Sequence, residues 1–503
     1  MNQALAHVGK KSLIVSIGNV LGKVFSFFFA IVVGRLLGAK SYGEYIFITS
    51  FLSFFVVVSH AGLNNGIMHF LPRYLKIEDT RKQIGQFVLT FSALASLFLC
   101  LLLFVFSHSI ATYILGDPQY RHTLLILIPS VFLLALEHTM LSIIRASKRI
   151  KEVVYVNNLI IPLSKLTLLV LFYFALDVRS IYSLIVPYYL YSAAVLIYLF
   201  FRLKKYRLIG SWSCPLALYK DMLRYSLPLM LSGIIMVLTT HIDQFMIGYY
   251  LASAQVGIYR VASQFAVLTS IAYISLRTTI DPVIADLYHQ KKWTELKEMY
   301  VVSTKWVSLI NLFIFGLFFV FATDLLGLVG REFVSGSTVL ILIALGQIVN
   351  SLTGTAANIN NMTGHPRYAL YTKLVVVFGN ISLNIWLIPL WGINGAAIAT
   401  MISLMVSNGM NLAFLYHHLR IQPYNRSYLK IPVALLVSTG CLHLFLTALR
   451  LPVLLRLIVG SAVYVLVFFS ITYLFVLSPE ERTWMEHIWK IVRGEKSIRS
   501  LWS

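Results

Sequence analysis

Acidic charge is the scarcest resource in this chain. It holds 19 Asp and Glu in 503 residues, against 41 Lys and Arg. Charged residues of both signs amount to 12%, about half the ~25% usual in a soluble domain. A chain so poor in solvating groups is not an ordinary soluble enzyme. Cysteine is nearly missing too. Cys100, Cys214 and Cys441 are scattered and odd in number, so neither a disulfide framework nor a metal knuckle is written here. There is no phosphate-cradling loop: Gly18-x-x-x-Gly22-Lys23 has the wrong spacing, and Val24 stands where Ser or Thr must follow. No Ser/His/Asp order or paired-carboxylate scaffold appears either, so an enzyme is not expected. No small-residue cleavage site follows the first apolar run, which carries Lys23 near its middle. That run reads as a first helix rather than a cleaved leader.

What is present is apolar length. Hydrophobic residues make up 58%, and the mean hydropathy is +0.80. Runs of 18 or more apolar residues recur along the chain, each long enough to cross a bilayer core of about 30 Å. The fold class is therefore all-α, a polytopic membrane protein. The pattern predicts fourteen spans, at 12–34, 42–68, 84–106, 122–144, 153–176, 180–201, 223–250, 255–280, 304–323, 336–360, 367–388, 394–417, 430–449 and 453–477. The net charge of +22 at first suggests nucleic acid. Most Lys and Arg, however, fall in the even-numbered connections and the two tails, while only Arg35, Lys40, Arg121, Arg179, Arg331 and Arg450 fall in the odd ones. That asymmetry obeys the positive-inside rule with both termini cytoplasmic. The charge is topology, and nucleic acid is not a partner.

The sequence also repeats its punctuation. "GRLLGAKSYGEYIF" from Gly34 and "GYYLASAQVGIYRVA" from Gly248 align at an offset of 214, pairing Gly34 with Gly248, Gly43 with Gly257 and Tyr45 with Tyr259. Six spans separate the copies, so the repeat is parallel, about an axis along the membrane normal. The organisation expected is a six-helix lobe at 1–210, a second at 211–425, a helix pair at 426–478 and a cytoplasmic amphipathic tail at 479–503. Transporters built from such repeats hold substrate between the lobes near the midplane.

These residues resemble a known family. "GRLLGAKSYGEY", "AGLNNGIMHFLPRYL" (Ala61–Leu75), "DQFMIGYYLASAQVGIY" (Asp243–Tyr259) and "INGAAIAT" (Ile393–Thr400) are similar, in order, to motifs of the polysaccharide-transporter (Wzx-like) flippases. That family is a branch of the multidrug/oligosaccharidyl-lipid/polysaccharide (MOP) exporter superfamily. The resemblance implies movement of undecaprenyl-diphosphate-linked oligosaccharide, an O-antigen, capsule or exopolysaccharide unit, across a bacterial cytoplasmic (inner) membrane. It implies a monomer, in contact with membrane lipids and with polysaccharide polymerisation machinery. The alternatives in the same superfamily are an ion-coupled exporter of drugs or small amphiphiles and a lipid II flippase.

Polar residues inside the spans carry the site expectations. Lys23 and Lys165 sit near mid-span, where a charge costs about 3 kcal/mol or more, so each must face water, a bundle interior or an anion. Ser12, Ser16, Asn19, Lys23 and Ser26 share one arc of the first helix. Amide stripes run through Gln347, Asn350, Ser351, Gly354, Asn358 and Asn361, and through Lys373, Asn380 and Asn384. Thr400, Ser403, Ser407 and Asn411 form a smaller stripe that reads as interhelical glue. The expected cavity for diphosphate and glycan uses Lys23, Asn19, Lys165, Asn158, Lys373, Asn350 and Asn358. A lipid diphosphate wants Lys or Arg as partner, whereas a pump for cationic drugs wants acids. Asp243, His241, Glu137 and Arg260 are the expected ion-coupling or gate residues. No cofactor is expected, only coupling to an H+ or Na+ gradient. Trp484, Ile488 and Ile491 in the tail, with 212–223 and 282–299, read as segments lying on the membrane surface.

Overall fold

The computed structural model describes residues 2–210, 216–363, 366–424, 428, 430–449 and 452–483. Side chains are described for these except at 2–17, 19, 271–272, 274–279, 282 and 366. The chain is 89% helix, with no strand among the described residues. The helices of the first half are α1 (Asn2–Ser59), α2 (Leu63–Phe70), α3 (Glu78–Val105), the single turn α4 (Ser107–Ser109), α5 (Tyr120–Leu127), α6 (Pro129–Ala146), α7 (Ile150–Tyr155), α8 (Ile161–Phe174) and α9 (Tyr182–Lys205). There follow α10 (Leu216–Tyr250), α11 (Ser253–Leu268), α12 (Ile271–His289), α13 (Trp293–Val329), α14 (Ser337–Thr353), α15 (Ala356–Met362), α16 (Pro366–Trp391), α17 (Ile393–Leu419), α18 (Lys430–Ala448) and α19 (Val453–Ile471). Large apolar side chains such as Leu97, Phe98, Leu101 and Phe104 on α3, or Leu436, Leu444 and Leu466 on α18 and α19, face outward. In lipid that is the favourable arrangement, because helices satisfy their own backbone groups. The chain is a multi-pass membrane protein.

Twelve helices among the described residues are long and apolar enough to cross a membrane. The fourteen sequence-read spans map onto them unevenly. Spans 12–34 and 42–68 share one helical run, Val20–Tyr74. At 58 residues, α1 straight would be about 87 Å long. It bends instead at Gly38 (φ 74°, ψ 172°), a conformation closed to a residue with a Cβ. The span read at 255–280 is divided between α11 and α12 and is not among the twelve. The span read at 336–360 is likewise not continuous. It breaks after Thr353 at Gly354 (φ 58°), where an added Cβ would lie 2.1 Å from Thr304 Oγ1.

The repeated glycines meet each other. A Cβ on Gly43 would lie 1.8 Å from the Ser253 carbonyl oxygen, and one on Gly257 would lie 2.3 Å from the Ala39 carbonyl oxygen. Ala39 and Ser253 are 214 apart, as are Gly43 and Gly257. The contact is therefore reciprocal, in the way that a two-fold interface is. Only glycine lets the two backbones come this close. Beside it, the Ala39 N–H donates to Glu332 Oε1 at 2.8 Å, and Arg35 donates to the Leu328 carbonyl at 3.3 Å. A second close approach joins the α1–α2 corner to α10. There a Cβ on Gly62 would lie 2.0 Å from the Ser226 carbonyl oxygen, and His69 stacks on Tyr225 at 4.5 Å. The pair α18–α19 docks on α13 through Phe321, Leu442, Leu446, Tyr464 and Phe468.

Candidate functional site

Among the cavities of the described residues, two chambers bring polar side chains together. The first, about 250 Å³, is enclosed by α1, α8 and α9, with Arg260 and Gln264 of α11 completing it. Lys165 and Arg260 are its charged residues, Asn157 and Gln264 its amides, and Tyr42, Tyr45, Tyr188 and Tyr191 its aromatic wall; no Asp or Glu lines it. Lys165 Nζ stands 5.4 Å from the Tyr191 ring centroid, a distance at which the ring face attracts a cation. Arg260 faces the Tyr42 hydroxyl, and its Nε has no hydrogen-bond partner. Pro162 and Pro187 in the lining each remove a helical N–H bond and free nearby backbone to reshape. The lining thus combines two basic side chains, two amides and four tyrosines.

The second chamber, about 520 Å³, opens between α2, α6 and α10; His60, His138, Arg145 and His241 are its titratable lining residues. Asn157 belongs to both linings. Asn158, the neighbour expected in the cavity, is in neither lining. Val156–Ile160 forms a π turn, which advances the register by one residue and is frequent at functional sites. Asn158 consequently lies on α1, where a Cβ on Gly22 would come within 2.9 Å of its Oδ1. The only hint in the sequence was Pro162 one turn on.

A third cluster is centred on Asp243. Its Oδ2 accepts from Tyr259 (2.8 Å) and Thr400 (2.5 Å), and its Oδ1 from Asn384 Nδ2 (2.7 Å). Asn384 also donates to Asn380 Oδ1 at 3.0 Å, and its own Oδ1 is buried without a partner. One carboxylate is thus satisfied by neutral donors drawn from α11, α16 and α17. Thr400 reads in the sequence as glue, and here it is part of this cluster. Among the described residues, no group of three His, Cys, Asp or Glu is placed to hold a metal.

The remaining expected residues scatter. Lys23 donates to Ser270 Oγ at 3.4 Å, across the seam between α1 and the α11–α12 junction, and lines neither chamber. Glu137 is 5% exposed with Oε2 unpartnered, and feels Lys165 as its nearest opposing charge. His241 Nδ1 lies 3.4 Å from Gln244 Oε1. Asn358 donates to Asp281 Oδ1 at 2.8 Å, so it knits α15 to α12. With α14 broken at Gly354, Asn350 and Asn358 no longer share a helix face. Lys373 is exposed, and the Asn19 side chain lies outside the described residues. So does the tail beyond Thr483 and its Trp484, Ile488 and Ile491.

Residues 32–334, more than half of the chain, match the family described as polysaccharide biosynthesis protein. A probable low-salt glycan biosynthesis flippase of Haloferax volcanii, Agl15, is 27% identical over 252 residues, 50% of this chain and 53% of that protein. The chain thus spans about half the length of that relative. Among solved structures, the lipid II flippase MurJ in an inward closed conformation superimposes with a TM-score of 0.72 at 16% identity, covering 92% of this chain and 98% of that one. An inward-facing multidrug resistance MATE family transporter of the MOP superfamily superimposes with a TM-score of 0.66 at 14% identity, covering 81% and 98%. Identities this low speak for the fold alone.

Proposed function

Because the chain belongs to the polysaccharide biosynthesis protein family, we propose that it is a flippase of the MOP superfamily for undecaprenyl-diphosphate-linked oligosaccharide. It acts in a bacterial cytoplasmic membrane with both termini inside. The observation that carries this reading is the first chamber: Lys165 and Arg260 without a carboxylate among the lining residues. Two cations in one chamber hold a diphosphate through charge-assisted hydrogen bonds, while tyrosines and amides meet sugar hydroxyls. A chamber of this sign does not suit cationic drugs, which disfavours the multidrug alternative.

In this reading two lobes, 1–210 and 211–425, rock against one another, the reciprocal Gly43–Ser253 and Gly257–Ala39 contact closes one end of the bundle, and α18 and α19 flank the cavity. The close approaches at both ends of the bundle are the gates, and alternating access opens one while the other stays shut. The Asp243 cluster takes the coupling cation, with Na+ the better fit to its oxygen donors. Membrane lipids surround a monomer that hands its cargo to polymerisation enzymes outside.

The test is reconstitution of the full chain in vesicles loaded with lipid-diphosphate glycan, with glycan exposure followed by lectin or glycosidase. Exposure well above that in protein-free vesicles is expected. No excess, from correctly folded protein with a gradient of either sign, refutes the reading.

A further inference from the structure

The second chamber has a chemistry of its own. His138, Leu141, Ser142 and Arg145 all line it, and their spacing of 3, 4 and 7 makes them one face of α6. His60 sits at the α1–α2 corner, 3% exposed, with Nε2 3.0 Å from the Ala135 carbonyl oxygen. A carbonyl only accepts, so Nε2 carries the hydrogen and Nδ1 is the position left for a second proton. The His60 and His138 ring centroids are 5.9 Å apart. Opposite stand Asn64 and Asn65 of α2, and Asn64 Oδ1 is buried without a partner. No carboxylate is among the lining residues.

The charged and titratable groups around His138 come from several elements. On α6 they are Glu137 and Arg145, and on α8 Lys165. His241 on α10 is engaged by Gln244 and by Ser50 (3.5 Å). Tyr188 and Tyr191 belong to α9 and Tyr45 to α1. Cys100 on α3 donates to the Ile128 carbonyl, and Glu152 of α7 is held by Arg202. A positive charge on His138 would therefore face Lys165 and Arg145, and one on His60 would face His138, with no carboxylate among the chamber's lining residues. An oxyanion in the chamber removes that repulsion. Proton and anion then assist one another by an equal free energy, as linkage requires.

We propose that this chamber is a proton-linked oxyanion subsite, in which His138 and Arg145, with the amides of α2 opposite, hold a phosphate-type anion together with one proton. The site is separate from the Lys165–Arg260 chamber and joined to it through Asn157. It depends on the flippase reading only for its ligand in the cell. There the anion is the diphosphate headgroup of the cargo, passing between chambers, and the proton taken up sets the pH at which it is released.

Calorimetric titration of the full chain in detergent, at pH 6.0 and 7.5 and in two buffers of different ionisation heat, tests this. The probes are inorganic pyrophosphate and a short prenyl diphosphate. The wild type should lose about tenfold in affinity per pH unit above the imidazole range, and take up about one proton more per ligand than His138→Gln. His138→Gln should flatten the pH dependence. Arg145→Gln should weaken binding about tenfold at both pH values. His443→Gln on α18, which lines neither chamber, is the control and should keep the wild-type slope. All variants are compared at matched melting temperature. Binding of both probes supports a subsite for the phosphate chemistry itself, and binding of the prenyl probe alone supports one for a lipid headgroup. A His138→Gln protein with the wild-type slope and proton count overturns the proposal, as does a wild type whose binding is independent of pH. If such a wild type still flips glycan lipid, the subsite alone has failed. If the linkage is present and nothing is flipped, the flippase reading alone has failed.

Discussion

At the scale of single residues, three side chains carry distinct expectations. Lys165 is a cation in the first chamber, held there by Tyr191 and opposed by no carboxylate in that lining. A hydrogen bond to a charged group contributes about 1.5–3 kcal/mol, so Lys165→Ala should weaken prenyl-diphosphate binding about ten- to a hundredfold while leaving expression intact. Unchanged binding by calorimetry would remove Lys165 from the site. Lys23→Ala is expected to abolish glycan exposure by a different route, because it frees the α1 seam from Ser270. Asp243 differs in kind. Its partners Tyr259, Thr400 and Asn384 all donate to it, and a cation would displace those donors and use the same oxygens. Asp243→Asn should abolish any stimulation of transport by Na+ and leave diphosphate binding intact. A variant still stimulated by Na+ places the coupling ion elsewhere.

At the scale of elements, the kinked α1 against α11 and the tether of α19 to α13 are the joints to probe. Any side chain at Gly43 collides with backbone, since its Cβ would lie 1.8 Å from the Ser253 carbonyl oxygen. Gly43→Val should cost about 1–3 kcal/mol as overpacking does, lowering the melting temperature and making cysteines placed at 39 or 253 react faster with a water-soluble thiol reagent. Labelling at the wild-type rate would mean that the contact is not a closure. At the other joint, Lys305 Nζ meets Glu481 Oε2 at 2.5 Å, with side-chain exposures of 6% and 19%. Burial by itself would push the Glu481 carboxyl up. The hydrogen bonds from Lys305 and from Ser478 outweigh it and hold the group below its ordinary value. A lowered folded value means that the stabilisation is complete above the unfolded value of about 4.3 and is lost as pH falls through the folded one. Glu481→Gln should therefore lower the melting temperature at pH 7 and shrink the wild-type loss on acidification below about pH 4.5. Glu481→Ala, which strands a buried ammonium, should cost about 3 kcal/mol. Parallel melting curves for wild type and Glu481→Gln across pH 3–7 would show that the pair does not hold α19.

At the scale of the whole molecule, the helix pair lies outside the repeat, so a two-lobe cavity does not require it. A lipid-linked cargo does create a need for it, since the glycan crosses through water while the polyprenyl tail stays in hydrocarbon. Between Ile431 and Ala448 the only polar side chains of α18 are Ser438, Thr439, His443 and Thr447, and Leu436, Val437 and Leu444 stand exposed. The pair is docked on α13 through Tyr464, which fills the space beside Gly316, and through Phe321 against Gly460. An apolar flank of this kind is where a tail would run. Polar substitutions at Leu436 and Leu444 should reduce transport of full-length carriers several-fold more than that of short-chain analogues. Equal loss for both would reduce the pair to a buttress.

The sequence by itself determined that this is a multi-pass all-helical membrane protein, and its motifs determined the family, because apolar run length and degenerate glycine spacing are local properties of a chain. It also singled out Lys165, Asp243 and Arg260, since a charge inside a span is costly wherever the span ends up, but Arg260, expected beside Asp243 as a coupling or gate residue, lines the first chamber with Lys165. Which groups those charges meet was decided only by tertiary structure. The phase of α8 turns on a π turn that moves Asn157, not Asn158, into both chambers. The break at Gly354 turns one amide of the expected stripe, Asn358, into a tie between α15 and α12. Thr400 and Asn384 reach Asp243 from 157 and 141 residues away. Helical periodicity assumes straight, unbroken helices, and this fold places its polar chemistry where they bend. The repeated glycines show the same division: the offset of 214 is plain in the sequence, but that the copies touch each other, backbone to backbone, needed the fold.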